Sequence, residues 1–220
     1  MSLSRRGGLK DLGLTLATVL AVLALVAVVV VRTGVLDGVF NGEEVVPHEF
    51  SSVLYAPAEP VPDFTLTGHD GEPFSLSDLT GDVVALYVGY TNCPDICPLT
   101  LNNFARVKAL LPRELQDQFQ VVMLSADPAR DTQEVLANYV PFFDSAFIGV
   151  TGTEADVAAV LEDWRMYVEY GEPDENGAYL VGHPAFTLLL DRNGNKVLKI
   201  SHLLTVEQIT ADVLAVLEAS

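Results

Sequence analysis

Residues Leu12 to Val31 form a run of 20 without a charge, rich in Val, Leu and Ala. No other feature limits the chain so tightly. At about 1.5 Å rise per residue, a helix of this length spans roughly 30 Å, the thickness of a bilayer's hydrocarbon core. Every face of such a helix is apolar, whereas a core helix would be shorter and would carry a polar stripe. A transmembrane helix is therefore expected over 12–31, behind a short leader at 1–11. Arg5, Arg6 and Lys10 precede the run and only Arg32 follows closely. The positive-inside rule then keeps the N-terminus in the cytoplasm and puts the rest on the extracytoplasmic side of the cell membrane. A cleaved signal peptide would have a shorter apolar stretch, about 7–15 residues, and a small-residue cleavage site. "VVVVRTGVLDG" offers no such site, so the run reads as an uncleaved single-pass anchor.

The chain beyond Arg32 carries 8 Lys and Arg against 29 Asp and Glu. Nucleic-acid binding needs a basic surface and is excluded. The acidity serves solubility, with attraction of cations or of a basic partner as the sharper reading. Residues 32–58 mix Gly, Glu, Pro and Ser with isolated apolar residues and read as a tether. Residues 59–220 are regular enough for one domain of ordinary size.

Within that domain, "DFTLTGHDGEPFSLSDL" alternates around a glycine turn, as a β-hairpin does. "DVVALYVGY" and "FQVVMLSAD" are nearly continuous apolar runs, expected of strands buried on both faces of a sheet. "LTLNNFARVKALL", "DTQEVLANYVPFF" and "TEADVAAVLEDWRMY" have helical spacing, and "SAFIGV" reads as a short strand. "AFTLLLDRNGNKVLKIS" is two strands joined at Asn193-Gly194. In the closing helix, "TVEQITADVLAVLEA", Thr205 and Gln208 have capping-box spacing. Together these elements describe an α/β sandwich.

Both cysteines of the chain, Cys93 and Cys97, lie in "YTNCPDICPLT", where the first buried run turns into a helix. The carboxyl edge of an open α/β sheet is where sites are built. A disulfide across so short a loop would constrain little of the unfolded chain, so a purely structural bridge explains the pair poorly. Pro98 fits the first turn of a helix and places Cys97 near its start, where backbone N–H groups and the helix dipole favour thiolate. Two thiolates make a soft chelate, too few for an iron–sulfur cluster or a four-ligand structural zinc. Copper(I) suits two sulfurs and one further donor. Four histidines compete for that third place. His48 lies in the tether, His69 at a hairpin turn with a solvated side chain, and His202 at a strand exit. His183, in the loop entering "AFTLLLD", is the front-runner, and spacing alone does not decide among them.

The segments "YTNCPDICPLTL", "SADPARDT" (Ser125 to Thr132) and "YLVGHPAF", in this order, resemble the Sco/SenC family of copper chaperones. The resemblance runs from about Val61 to Ser220. It implies a thioredoxin-like α/β sandwich with an added N-terminal β-hairpin, preceded by one transmembrane helix. It also implies one copper ion, copper(I) favoured and copper(II) possible, held by Cys93, Cys97 and His183. The implied task is metallation of the dinuclear copper centre of cytochrome c oxidase subunit II, or of another exported copper protein. The alternative is a thiol-disulfide oxidoreductase in which Cys93 attacks a target disulfide and Cys97 resolves the mixed disulfide. One position departs from the family pattern. Pro184 follows the histidine where a small or polar residue is usual, and it restricts His183 towards extended geometry. A peroxidase would need Thr91 and an arginine beside the cysteine, and no arginine is local. Asp95 reads as a turn residue and Trp164 as packing. Among Asp127, Arg130 and Asp131 the expectation is structural: Asp131 or Thr132 caps the next helix, and Arg130 pairs with a carboxylate.

Overall fold

In a computed structural model, residues 48–219 are described. Their strands are β1 (Val53–Pro60), β2 (Thr65–Gly68), β3 (Pro73–Ser75), β4 (Val83–Gly89), β5 (Phe119–Ser125), β6 (Ile148–Thr151), β7 (Glu169–Tyr170), β8 (Val181–Gly182), β9 (Phe186–Leu190) and β10 (Asn195–Ser201). The helices are α1 (Ile96–Leu110), α2 (Arg113–Gln116), α3 (Gln133–Tyr139), α4 (Glu154–Asp163) and α5 (Val206–Ala219). The leader, the anchor expected over 12–31 and the tether up to residue 47 lie outside the described residues. Among those described, no helix is long and apolar enough to cross a membrane.

The two apolar runs become β4 and β5, with every residue of β4 buried. They pair in parallel from Val83↔Phe119 to Gly89↔Ser125, and α1 makes the crossover between them. On its other side β4 pairs antiparallel with β9, which turns at Asn193-Gly194 into β10. Gly194 has φ +77°, the left-handed conformation that this tight turn needs. A parallel βαβ unit beside an antiparallel hairpin and a closing helix is the thioredoxin-like arrangement, and α1 packs against α5. The full sheet runs β1-β10-β9-β4-β5-β6-β2-β3, and β7 with β8 forms a separate two-stranded pair. The expected N-terminal hairpin is β2–β3, added to one edge through β2 and β6.

Local signals set several helix starts. Thr153 caps α4, accepting from the Asp156 N–H at 3.1 Å. Thr205 and Gln208 form the reciprocal capping box at α5, at 3.0 and 3.2 Å. The helix read over "TEADVAAVLEDWRMY" stops early, at Asp163, because the chain reverses at Arg165 with φ +53°. Trp164 packs against the core and donates to the Pro62 carbonyl at 3.1 Å.

The expected tether needs correction over its last part. Residues 53–60 are strand β1, paired antiparallel with β10 at the sheet edge. Just before it, the carboxylate of Asp212 on α5 is wholly buried. It accepts from the N–H of Ser51 at 3.0 Å and of Ser52 at 2.8 Å, and it pairs with His48 Nε2 at 2.9 Å. Residues 48–58 therefore belong to the domain. Their composition reads as linker because an edge strand exposes most of its side chains.

Candidate metal centre

The site is assembled where β4 and β5 end side by side. The Ala126 N–H donates to the Gly89 carbonyl at 2.7 Å, which extends the ladder one step past the strands. The chain from β4 then enters the cysteine loop. There the N–H and hydroxyl of Thr91 both donate to the carboxylate of Asp131, and Ser125 donates to it at 2.8 Å. Asp131 is wholly buried, and its burial raises its pKa against the pull of those hydrogen bonds. Of the two expected caps for α3, Thr132 serves, accepting from the Val135 N–H. Asp131 instead ties the cysteine loop to the loop after β5.

Helix α1 begins at Ile96, so Cys97 is its second residue, with Pro98 inside the first turn. Cys97 is wholly buried and Cys93 half-buried, and both thiols are free. The Cys97 N–H donates to Cys93 Sγ at 3.5 Å, and the Tyr87 hydroxyl donates to Cys97 Sγ at 3.3 Å. The two sulfurs differ electrostatically. Burial pushes the Cys97 thiol up to about 12, beyond what the Tyr87 hydrogen bond can offset. Burial also works against ionising Cys93. There the N–H groups of Asp95, Cys97 and Ile96 and the Cys97 thiol prevail and hold the pKa below the ordinary value.

The third donor arrives through strand order. Because β9 runs antiparallel to β4 with Tyr87 opposite Thr187, the loop before β9 falls at the carboxyl end of β4. His183 sits in that loop with Nε2 at 3.4 Å from Cys97 Sγ. The donor atoms of Cys93, Cys97 and His183 all lie within 4.8 Å of one another. The rings of Tyr87 and Tyr90 stand edge-on to the imidazole, with centroids at 5.8 and 5.7 Å. His183 Nδ1 is 3.2 Å from the Pro184 carbonyl. The tautomer with a proton on Nδ1 donates there and turns the Nε2 lone pair to the sulfurs. Burial lowers the His183 pKa and so favours this neutral, ligating form. Pro184 does not turn the ring away, since Nε2 still lies 3.4 Å from Cys97 Sγ.

The other histidines are engaged elsewhere. His48 pairs with Asp212, and His202 Nδ1 lies 2.9 Å from the Ala185 carbonyl. His69, expected to be solvated, accepts from the Gly149 N–H at 3.2 Å. The requirements of a peroxidase are not met either. The Thr91 hydroxyl is given to Asp131, and Arg130 is ion-paired to Asp127. Two sulfurs and one imidazole are a soft N/S set, suited to copper(I) or zinc and poor for hard cations. Three ligands fall short of a closed four-coordinate structural zinc.

Two contributors escaped the sequence reading, because both lie inside the apolar run "DVVALYVGY" and read as parts of a buried strand. A buried tyrosine hydroxyl such as that of Tyr87 normally finds a partner, and here it is Cys97. Gly89 is the second. A Cβ there would lie 2.5 Å from Tyr87 Cε1 and 3.1 Å from Cys97 Sγ, so glycine makes room for both.

Comparison with known proteins gives the family and the fold. The family model described as SCO1/SenC matches residues 54–218. A SCO2-like protein of Rickettsia felis is 37% identical over 133 residues, 60% of this chain and 64% of the relative, so the match spans under two thirds of that protein. Bradyrhizobium japonicum ScoI, solved with copper bound, superposes with TM-score 0.64 at 31% identity, covering 70% of this chain and 97% of that one. Apo Sco1 of Thermus thermophilus superposes with TM-score 0.69 at 34% identity, covering 79% and 98%. The fold, the cysteine loop and the extent of the match together place this chain in the SCO1/SenC family.

Proposed function

We propose that this chain is a membrane-anchored copper chaperone. It binds one copper(I) ion through Cys93, Cys97 and His183 and helps to metallate the dinuclear copper centre of cytochrome c oxidase subunit II or another exported copper protein. The observation that carries the reading is the convergence of three soft donors within 4.8 Å, one from the loop after β4, one from the first turn of α1 and one from far along the chain. Copper is cargo here. Its charge displaces the thiol protons, which lets even the high-pKa Cys97 ligate as thiolate. Cys93, the more exposed sulfur, is where an incoming target thiolate meets the ion first. Release proceeds by ligand exchange, with the target's sulfurs replacing those of Cys93 and Cys97 in turn. A neutral His183 leaves without proton uptake.

The test is a titration of the reduced full-length chain in detergent with copper(I) against a competing chelator, beside His183→Ala and Cys93→Ser. One equivalent bound tightly, with marked weakening in both variants, is expected. The copper-loaded chain is then mixed with the reduced copper domain of an oxidase subunit II, and formation of its dinuclear centre is followed by absorbance. Failure to hold copper against the chelator would sink the chaperone reading.

The sulfur asymmetry favours a second reading, a thiol-disulfide oxidoreductase. The Cys93 thiolate attacks a target disulfide and one target thiolate leaves. Cys97 loses its proton and displaces the other, leaving a Cys93–Cys97 disulfide and a reduced target. Burial of Cys97 works against the second step, since few of its thiols are ionised at neutral pH.

A further inference from the structure

His183 lies at the end of an excursion that has little regular structure of its own. From Arg165 to Gly182 the backbone is supported by the short ladder between β7 and β8 and by a turn at Asp174–Ala178. Most of its side chains are exposed, with Met166 and Val181 as the buried exceptions. A segment with so few buried groups cannot hold an imidazole in register with two sulfurs by packing alone.

What holds it is the loop after β5. The Tyr170 hydroxyl donates to the Ala126 carbonyl at 2.8 Å. The Tyr179 hydroxyl donates to Asp127 at 2.9 Å, and Asp127 is wholly buried. Arg130 is ion-paired to Asp127 and donates from Nη1 to the Tyr179 carbonyl at 3.0 Å. Its guanidinium also lies 3.5 Å from the centroid of the Tyr179 ring, so Tyr179 is gripped by backbone, ring and hydroxyl. Arg130 also sits 5.8 Å from the centroid of the Tyr90 ring, which stands edge-on to His183. One residue further, Asp131 grips Thr91, two positions before Cys93.

We infer that the Asp127–Arg130–Asp131 loop is a bracket that sets the distance between the thiol pair and the imidazole. In it, Asp127 and Arg130 are positioning residues for His183 that touch no ligand atom. Asp131 fixes the sulfur side of the site, and Asp127 with Arg130 fixes the histidine side through Tyr179. The inference rests on the copper-binding reading of the three donors.

The test is a double-mutant cycle on copper(I) affinity, read by chelator competition with the full-length reduced chain. Arg130→Ala is expected to weaken binding by about 10–100-fold, the range typical of residues that orient metal ligands. In a His183→Ala background the same change should add less than about twofold, because its effect passes through the imidazole. X-ray absorption of copper-loaded Arg130→Ala should show the nitrogen donor weakened or lost with both sulfurs retained, a signature that a general loss of stability would not produce. Should Arg130→Ala fail to fold, Tyr179→Phe carries the same cycle. It keeps the ring and removes only the hydroxyl's bond to Asp127, so a smaller loss in the same direction is expected. Equal losses in both backgrounds, or no loss while His183→Ala still costs affinity, would overturn the bracket alone. No loss from His183→Ala itself would overturn the three-donor site and the bracket with it.

Discussion

Gly89→Ala is the smallest change that tests the geometry of the cysteine pocket. The new methyl would sit 2.5 Å from Tyr87 Cε1 and 3.1 Å from Cys97 Sγ. Carbon atoms pack best at about 3.5–4.0 Å, so the ring must retreat by roughly 1 Å. It has nowhere to go, because Tyr87 is 1% exposed and Cys97 0%. Overpacking of this kind costs about 1–3 kcal/mol. Alanine also lowers the entropy of the unfolded chain, a gain of about 0.4–1 kcal/mol, which offsets only part of that cost. For a domain of this size each kcal/mol moves Tm by about 2–4 °C, so a net cost of about 1–2 kcal/mol predicts a fall of roughly 2–8 °C. Circular dichroism melts of the reduced, copper-free chain measure it. Copper(I) competition on the same variant reports whether the sulfur moved as well: affinity should fall, since Cys97 Sγ is drawn away from its contacts with Tyr87 and His183. A variant that melts within about 1 °C of the parent and binds copper equally well would refute the close approach at Gly89.

Burial and charge yield three further predictions. In the reduced, copper-free chain, iodoacetamide should modify Cys93 first, with a pH midpoint below the ordinary 9.0, and should reach Cys97 only on unfolding; equal labelling of both would contradict the asymmetry. Because the Cys97 pKa is raised in the folded state, its contribution to stability is complete below about 9. It is lost as pH rises towards about 12, so Cys97→Ala should flatten the alkaline side of the stability profile. Beside the edge strand β1, Asp212→Ala leaves the buried Ser52 N–H without its acceptor and frees His48 and Ser51. Hydrogen bonds to a charged group are worth about 1.5–3 kcal/mol each, and water recovers part of them at the exposed positions. Urea unfolding should show a loss of about 2–4 kcal/mol, and limited proteolysis should cut ahead of β1; an unchanged cleavage pattern would mean that residues 48–52 are held by something else.

Much of this protein was legible in one dimension because its signals are local. Continuous apolar runs marked β4 and β5, since a strand buried on both faces leaves no polar positions to interrupt it. Asn193-Gly194 marked the second hairpin, and Thr205 with Gln208 marked the start of α5, because turns and caps are settled by neighbours a few residues apart. Cys93 and Cys97 were visible as a candidate ligand pair for the same reason. The histidine that the fold brings beside them was not. Cys97 and His183 are 86 positions apart, and they meet only because β9 lies antiparallel beside β4. The residues left four histidines open, and the family resemblance, not spacing, singled out His183. Strand order also decided what composition concealed: β1 inside an apparent tether, Asp131 as the anchor of the cysteine loop, Arg130 over Tyr179. Each of these depends on which segments the sheet brings together. Periodicity reports the face a residue presents, whereas adjacency is a property of the folded chain, and in this protein adjacency turns two thiols and an imidazole into a candidate copper site.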